Sequence, residues 1–311
     1  MLNQLFILLT SGTAIVLRFK FLFQQKGSRI SVSSDRRQFS LAALLCLCFS
    51  FCSALNASPS VSWPGEKIDT WNGFVRHNFT VDGCEAWVVE PKAPLPGKPW
   101  SWCMEFPDVF VERCAAPQLL AKGFYHAYIN VGNTFGCPDA LKHLSAFYDA
   151  VRTQGLAPKV AIIGISRGGL YGYRWAAENP RSVAVIYGDA PVCDFKSWPG
   201  GKGKGVGNKG DWAALISDYH FKDEAEALSY AGNPIDNLEP LAQSGVALIN
   251  VVGDADNVVP VAENTAILQA RYKQLGGEIQ VIHKPGVGHH PHGLDDPTPV
   301  VDFIVSHTVK P

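Results

Sequence analysis

The chain has 311 residues, with 27 Lys and Arg against 28 Asp and Glu, and 47 % of its residues are hydrophobic. Residues 1–57 hold six of the cations (Arg18, Lys20, Lys26, Arg29, Arg36, Arg37) and one acid, Asp35, so the remaining 254 residues carry 21 basic and 27 acidic side chains. That body is large enough for one domain with a substantial core, and its net acidity excludes the basic footprint that nucleic-acid binding needs.

In chain order, Leu5 to Phe23 is largely apolar but is interrupted by Arg18 and Lys20. Residues 1–33 are therefore either an extra segment or an over-extended start, with Val32 as the initiation site. Next, Arg36-Arg37-Gln38-Phe39 precedes an apolar stretch from Leu41 to Ala54 and small residues up to Ala57. An arginine pair, a short apolar core and a small-residue exit make a twin-arginine type of export signal, which directs the mature protein to the periplasm or the exterior. The apolar run is short for a bilayer crossing, so no stable membrane insertion of the mature chain is expected. Of eight cysteines, Cys84, Cys103, Cys114, Cys137 and Cys193 lie beyond this region, without a Cys-x-x-Cys pair. A zinc cage is not expected from them, and buried apolar thiols are.

Beyond residue 57, 73–83 reads as a strand closing on Asp82-Gly83, with 86–90 returning as the second arm of a hairpin. Strands are expected at 100–106 and 124–131, then a helix at 139–154 with apolar spacing at Leu141, Leu144, Phe147 and Val151. The run 160–163 is a strand, 168–178 a helix and 183–187 a strand. A glycine- and lysine-rich loop at 197–210 leads into helices reaching about Leu241. Strand 246–252, helix 262–275, strand 278–283 and helix 300–309 complete the chain. Near-continuous apolar strands alternating with helices predict an α/β fold. Its mostly parallel sheet carries helices on both faces and an antiparallel N-terminal hairpin. One domain spans 58–311, with an insertion at about 194–241.

Gly164, Ser166, Arg167, Gly168 and Gly169 follow the apolar run 160–163 directly, in the Gly-x-Ser-x-Gly spacing of a nucleophile elbow. A serine hydroxyl is a poor nucleophile until a base takes its proton, and the base needs a carboxylate to hold its tautomer. Ser166 is the candidate nucleophile. Four histidines compete for the base: His283, His289, His290 and His292. His289 leads because Gly286-Val287-Gly288 gives it a flexible approach; His290 is the alternative. A metal site built from His289, His290 and His292 with Asp295 and Asp296 is not expected, because adjacent histidines seldom point to one centre. Asp254 and Asp256 both follow the 246–252 strand and compete for the acid. A tetrahedral intermediate also needs hydrogen-bond donors at its oxyanion. The backbone N–H of Arg167 is one. The second belongs to the loop after the 100–106 strand, where Pro107 has no N–H and Phe106 or Asp108 remain. The Arg167 side chain is either a further cationic donor or a salt-bridged brace for the elbow.

From Trp71 to Phe303 the chain resembles exported α/β hydrolases of the acetyl xylan esterase and prolyl-oligopeptidase-like group. Serine, aspartate and histidine follow in that superfamily's order, each just past a strand. The elbow is also similar to that of glucuronoyl esterases, where an arginine follows the serine. Residues 253–260 fit the superfamily's Gly-x-x-Asp-x-x-Val-Pro, which points to Asp256 and leaves Asp254 to stiffen the turn. The resemblance implies a secreted serine hydrolase that cleaves carboxylic esters of acylated or uronate-containing carbohydrate, with no metal or organic cofactor. The 197–210 loop lies where the superfamily inserts lids, so Trp198 and Lys202 would contact a sugar ring and an acidic group. Trp100 and Trp102 are expected near the same mouth. Two rival readings are a prolyl-oligopeptidase-like peptidase and a non-catalytic carbohydrate-binding protein on a hydrolase fold.

Overall fold

The runs Val160–Ile165, Val183–Asp189 and Ala247–Gly253 are buried at every position, which requires strands covered on both faces. They pair in parallel at the heart of one nine-stranded sheet. The structure, a computed structural model, describes residues 8–10, 13–15 and 61–309. The export signal expected at 34–57 lies outside the described residues. The chain divides into units of residues 1–57 and 58–311. In the first, strands β1 (Leu8–Thr10) and β2 (Thr13–Ile15) pair antiparallel.

The second unit contains β3 (Lys67–Trp71), β4 (Phe74–Val81), β5 (Cys84–Glu90), β6 (Trp100–Cys103), β7 (Tyr125–Ile129), β8 (Val160–Ile165), β9 (Val183–Asp189), β10 (Ala247–Gly253) and β11 (Ile279–Lys284). Their order in the sheet is β11-β10-β9-β8-β6-β7-β5-β4-β3. The six from β11 to β7 run parallel, and β5, β4 and β3 extend them antiparallel. Strand β3 is not foreseen in the sequence. Four of its five residues are exposed at the sheet edge, so it carries no apolar alternation to read.

Eight α-helices surround this sheet among the described residues: α1 (Ala116–Ala121), α2 (Pro138–Thr153), α3 (Gly168–Glu178), α4 (Lys209–Asp218), α5 (Glu224–Ser229), α6 (Glu239–Gln243), α7 (Thr265–Gln274) and α8 (Thr298–Thr308). Alternate residues of a strand point to opposite faces, and β8 divides accordingly. Val160 and Ile162 pack with Leu144, Phe147 and Trp175, while Ala161, Ile163 and Ile165 pack with Leu119, Val300 and Ile304. Helices therefore cover both faces, and α4, α5 and α6 form the insertion between β9 and β10. Among the described residues no helix is long and apolar enough to cross a membrane. The five described cysteines are unpaired, and all but Cys84 are buried.

Strand β6 corrects two expectations. It ends at Cys103 rather than 106, because the chain turns through a left-handed backbone conformation at Phe106, with φ of 58°. Trp100 and Trp102 are not at a mouth but fully buried. Two residues apart on a central strand, they share one face. Trp102 meets Phe147 of α2 at 5.3 Å and Trp175 of α3 at 4.9 Å between ring centroids. Trp100 Nε1 donates to the Ala157 carbonyl at 2.9 Å, whereas Trp102 Nε1 has no partner. Chemical denaturation should therefore show Trp102→Ala losing about 3–5 kcal/mol. Trp100→Phe should cost about 1 kcal/mol more than Trp102→Phe, since only the first strands a buried carbonyl. Equal losses for the two phenylalanine variants would contradict this account.

Candidate active site

Ser166 stands between the end of β8 and the start of α3, with a left-handed φ of 52°. The turn is possible because Gly164 before it and Gly169 after it lack side chains. A Cβ on Gly164 would come within 3.0 Å of the Gly168 carbonyl oxygen, and one on Gly169 within 2.7 Å of the Val192 carbonyl oxygen. Two backbone bonds hold the serine itself: Ser166 N–H donates to the Asp189 carbonyl at 2.8 Å, and Val192 N–H donates to the Ser166 carbonyl at 2.8 Å.

The loop after β11 brings His289 over the elbow. Its Nε2 lies 2.9 Å from Ser166 Oγ, and its Nδ1 lies 2.7 Å from Asp256 Oδ2. A carboxylate only accepts, so Nδ1 carries the proton and Nε2 is left to accept from the serine hydroxyl. Asp256 is fixed in turn, because its Oδ1 accepts from the N–H groups of Val258 (2.9 Å) and Val259 (2.8 Å). Both side chains are nearly dry, at 7 % exposure for His289 and 1 % for Asp256. Close backbone approach makes the geometry possible: a Cβ on Gly253 would collide with the carbonyls of Val287 and Gly288. Such a relay can draw a proton from the hydroxyl and return it to a leaving group.

The competing residues lie elsewhere. Asp254 pairs with His283 Nδ1 at 2.6 Å on the surface, so neither reaches Ser166. His290 is exposed and stacks on Phe110 at 5.9 Å. Partial desolvation against its neighbours, with repulsion from His292 and His289, holds its imidazole below the usual value. His292 is buried and hydrogen-bonds through Nδ1 to Asp189 Oδ1 at 2.6 Å. The Asp189 carboxylate also accepts from Tyr187 O–H (2.6 Å) and Gly293 N–H (2.8 Å). Ligand-capable atoms of His289, His290 and His292 all lie within 4.8 Å of one another.

On the other side of the elbow, Arg167 Nη2 donates to Glu105 Oε1 at 3.0 Å, and its guanidinium lies 4.9 Å over the Phe106 ring. The side chain thus braces the elbow against the β6 loop. The backbone N–H groups of Arg167 and Phe106 donate to no acceptor among the described residues. Asp108 is engaged away from the elbow, accepting from Trp71 Nε1 at 2.7 Å. Trp198 packs 6.3 Å from Phe135. Lys202 forms an ion pair with Glu224 and lies 5.8 Å over Trp212. Lys202, Trp212 and Glu224 line a concavity of about 450 Å³ in which no residue of the Ser166–His289–Asp256 chain takes part. The 197–210 loop is moored rather than free, since Val206 N–H donates to the Asn257 carbonyl at 3.1 Å and Ser197 Oγ to Glu263 at 2.6 Å.

Sequence reasoning assigned no role to Asp189 or Glu105, and weighed His292 only as a competing base or metal ligand. A readable signal existed for Asp189: an acid ending a continuously apolar strand must find donors. Nothing in spacing announces its pairing with His292, 103 residues away.

A serine at a strand-to-helix elbow, an aspartate after β10 and a histidine after β11 on a mostly parallel sheet define the α/β-hydrolase fold. No protein-family model and no curated protein matches the chain. Solved structures do. Dipeptidyl peptidase 4 of Porphyromonas gingivalis is 14 % identical over 79 % of this chain and 36 % of its own, with a TM-score of 0.56. A truncated carbohydrate esterase from gut microbiota is 19 % identical over 73 % of this chain and 91 % of its own, also at 0.56. A puromycin-hydrolyzing peptidase of Mycobacterium tuberculosis is 16 % identical over 79 % and 40 %, at 0.52. The chain thus spans two-fifths or less of the two peptidases, and at these identities the likeness is one of fold.

Burial raises the Glu105 carboxyl above its usual value, with Arg167 acting in the opposite sense. The folded state therefore holds that proton more tightly than the unfolded chain. The stability it contributes is complete below the unfolded value and is lost as pH rises through the folded one. Glu105→Gln has no such proton. The unfolding free energy of the wild type minus that of the variant should fall across this window and be flat on either side. A difference independent of pH would mean that folding leaves the proton affinity of Glu105 unchanged, and one that rises with pH would mean that Arg167 outweighs burial and holds the carboxylate ionised.

Proposed function

We propose that this protein is a serine hydrolase of carboxylic esters, acting on acylated carbohydrate. The observation that carries the reading is the unbroken hydrogen-bond chain from Ser166 Oγ through His289 to Asp256. In this mechanism Ser166 Oγ attacks the ester carbonyl while His289 Nε2 takes its proton and Asp256 stabilises the resulting imidazolium. The free N–H groups of Arg167 and Phe106 receive the oxyanion, aided by the positive end of α3. His289 then protonates the departing alcohol, and water, activated by the same imidazole, releases the acid from Ser166.

The esterase reading is supported by the gut-microbiota carbohydrate esterase, nearly all of whose length is matched. With Arg167 committed to Glu105, an acyl ester is favoured over a uronate ester, for which a free guanidinium is the natural recognition group. Arg36-Arg37 and the apolar stretch behind them support export of the mature enzyme. The peptidase neighbours favour a second reading, cleavage of peptide amides.

A fluorophosphonate probe and a panel of acetylated and feruloylated glycans, glucuronoyl esters and peptide anilides test these readings together. Ser166→Ala should abolish labelling and lower 4-nitrophenyl acetate turnover by about 10³-fold or more, and His289→Ala should do likewise. An adduct that survives Ser166→Ala would sink the nucleophile, and a loss that tracked His290 instead would move the base. Turnover confined to anilides would replace the esterase with the peptidase. Failure to label at all would leave a carbohydrate-binding protein on a hydrolase fold.

A further inference from the structure

The Ser166 relay uses one carboxylate–imidazole pair, yet the histidine loop contains two. His289 Nδ1 rests on Asp256 and His292 Nδ1 on Asp189, and both carboxylates are buried, at 1 % and 0 % side-chain exposure. The second pair exchanges no proton with Ser166 in the proposed hydrolysis; it only holds the loop. The ring centroids of His289 and His292 are 4.8 Å apart, and His290 lies 5.0 Å from the first and 4.8 Å from the second. The rings are inclined at 69–89° rather than stacked.

This is the arrangement that metal-ligating histidines favour. A ligand imidazole almost always gives its other nitrogen to a carboxylate or carbonyl, which fixes the tautomer and makes the free nitrogen more basic. His289 and His292 already meet that condition, each with Nε2 left to donate a lone pair. His290 makes no side-chain hydrogen bond to a described residue and is exposed, so it can turn to supply a third nitrogen. Three neutral imidazoles backed by two buried carboxylates present two negative charges, which match a dication. The loop is preorganised from outside: Arg113 Nε donates to the His292 carbonyl at 2.7 Å, and Lys284 Nζ to those of Pro291 (2.7 Å) and Gly293 (3.1 Å). Imidazole donors select zinc, copper or nickel over magnesium or calcium.

We infer that His289, His290 and His292 form a reversible site for a zinc-class divalent ion, with the fourth position left to water or Ser166 Oγ. Zinc–nitrogen bonds of about 2.0–2.1 Å require the three nitrogens to draw closer than 4.8 Å. The ion would take His289 Nε2 away from the Ser166 hydroxyl, so the metal-bound form and the form that activates the serine exclude each other. This silencing rests on the serine-hydrolase reading; the binding does not.

The test uses the purified full chain after chelator treatment. Calorimetric titration with Zn²⁺ should give one site in both wild type and Ser166→Ala. Binding should weaken by about 10-fold or more in His290→Ala, and also in Asp189→Asn, whose carboxylate backs His292 and steadies the loop without touching the ion. Co²⁺ should give the intense visible absorption of a tetrahedral site. Fluorophosphonate labelling of the wild type should fall as Zn²⁺ saturates the site, recover with chelator and be insensitive to Mg²⁺. His290→Ala, compared with its own metal-free rate, should resist Zn²⁺. Absence of binding, or an affinity unchanged in His290→Ala, overturns the site. Labelling that continues at full Zn²⁺ occupancy overturns the silencing. Should the probe never label the metal-free protein, the hydrolase reading fails, while calorimetry still decides the site.

Discussion

Everything at the elbow depends on Asp189. Its backbone carbonyl holds the Ser166 N–H, and its carboxylate holds His292 and Gly293 in the loop that carries His289. One residue at the end of β9 thus joins the backbone of the serine to the loop of the base. A non-glycine residue in the left-handed region costs about 1–2 kcal/mol, and it persists only where surrounding bonds over-determine it. At Ser166 those bonds come from Asp189 on one side and Val192 on the other. The serine therefore cannot relax without unpairing the end of β9.

The same physical device recurs at Asp256. Each buried carboxylate faces three donors: a histidine with two backbone N–H groups for Asp256, and a histidine, a tyrosine and one backbone N–H for Asp189. A buried carboxylate left with fewer partners would be costly. Satisfied in this way, each fixes a loop, and the two loops meet at His289. Glu105 works differently. Its single strong partner is Arg167, and desolvation keeps its proton affinity high. That pair holds the Phe106 backbone against the elbow, where its N–H faces no internal acceptor.

What the sequence makes legible follows from periodicity and from local steric need. Strands β8, β9 and β10 are readable because burial on both faces forces unbroken apolar runs. The elbow is readable because Gly164 and Gly169 occupy positions that no side chain fits. Edge strand β3 is not, since an exposed strand carries no such pattern. Trp100 and Trp102 mislead because aromatic composition does not reveal which face of β6 they occupy. The arrangement of the histidine cluster is hidden for a related reason. Residues 289–292 form an irregular loop, and outside a regular element adjacency in sequence says nothing about side-chain direction. Asp189 and Asp256 supply that direction, from 103 and 33 residues away. The Lys202 pairing with Glu224 is likewise hidden, because its partner belongs to a helix whose packing no local pattern encodes.

The insertion between β9 and β10 is coupled to the turn that holds Asp256. Asn264 accepts from the N–H groups of Cys193 and Asp194, at 2.9 and 3.1 Å, and donates to Ser197 Oγ at 3.1 Å. Ser197 reaches Glu263, Val206 reaches the Asn257 carbonyl, and Asn257 is the residue next to Asp256. A change in the 197–210 loop is thereby transmitted to the turn whose N–H groups hold Asp256. The Glu263–Asn264 clasp therefore couples the packing of the insertion to the position of Asp256, and a change that breaks it disturbs both.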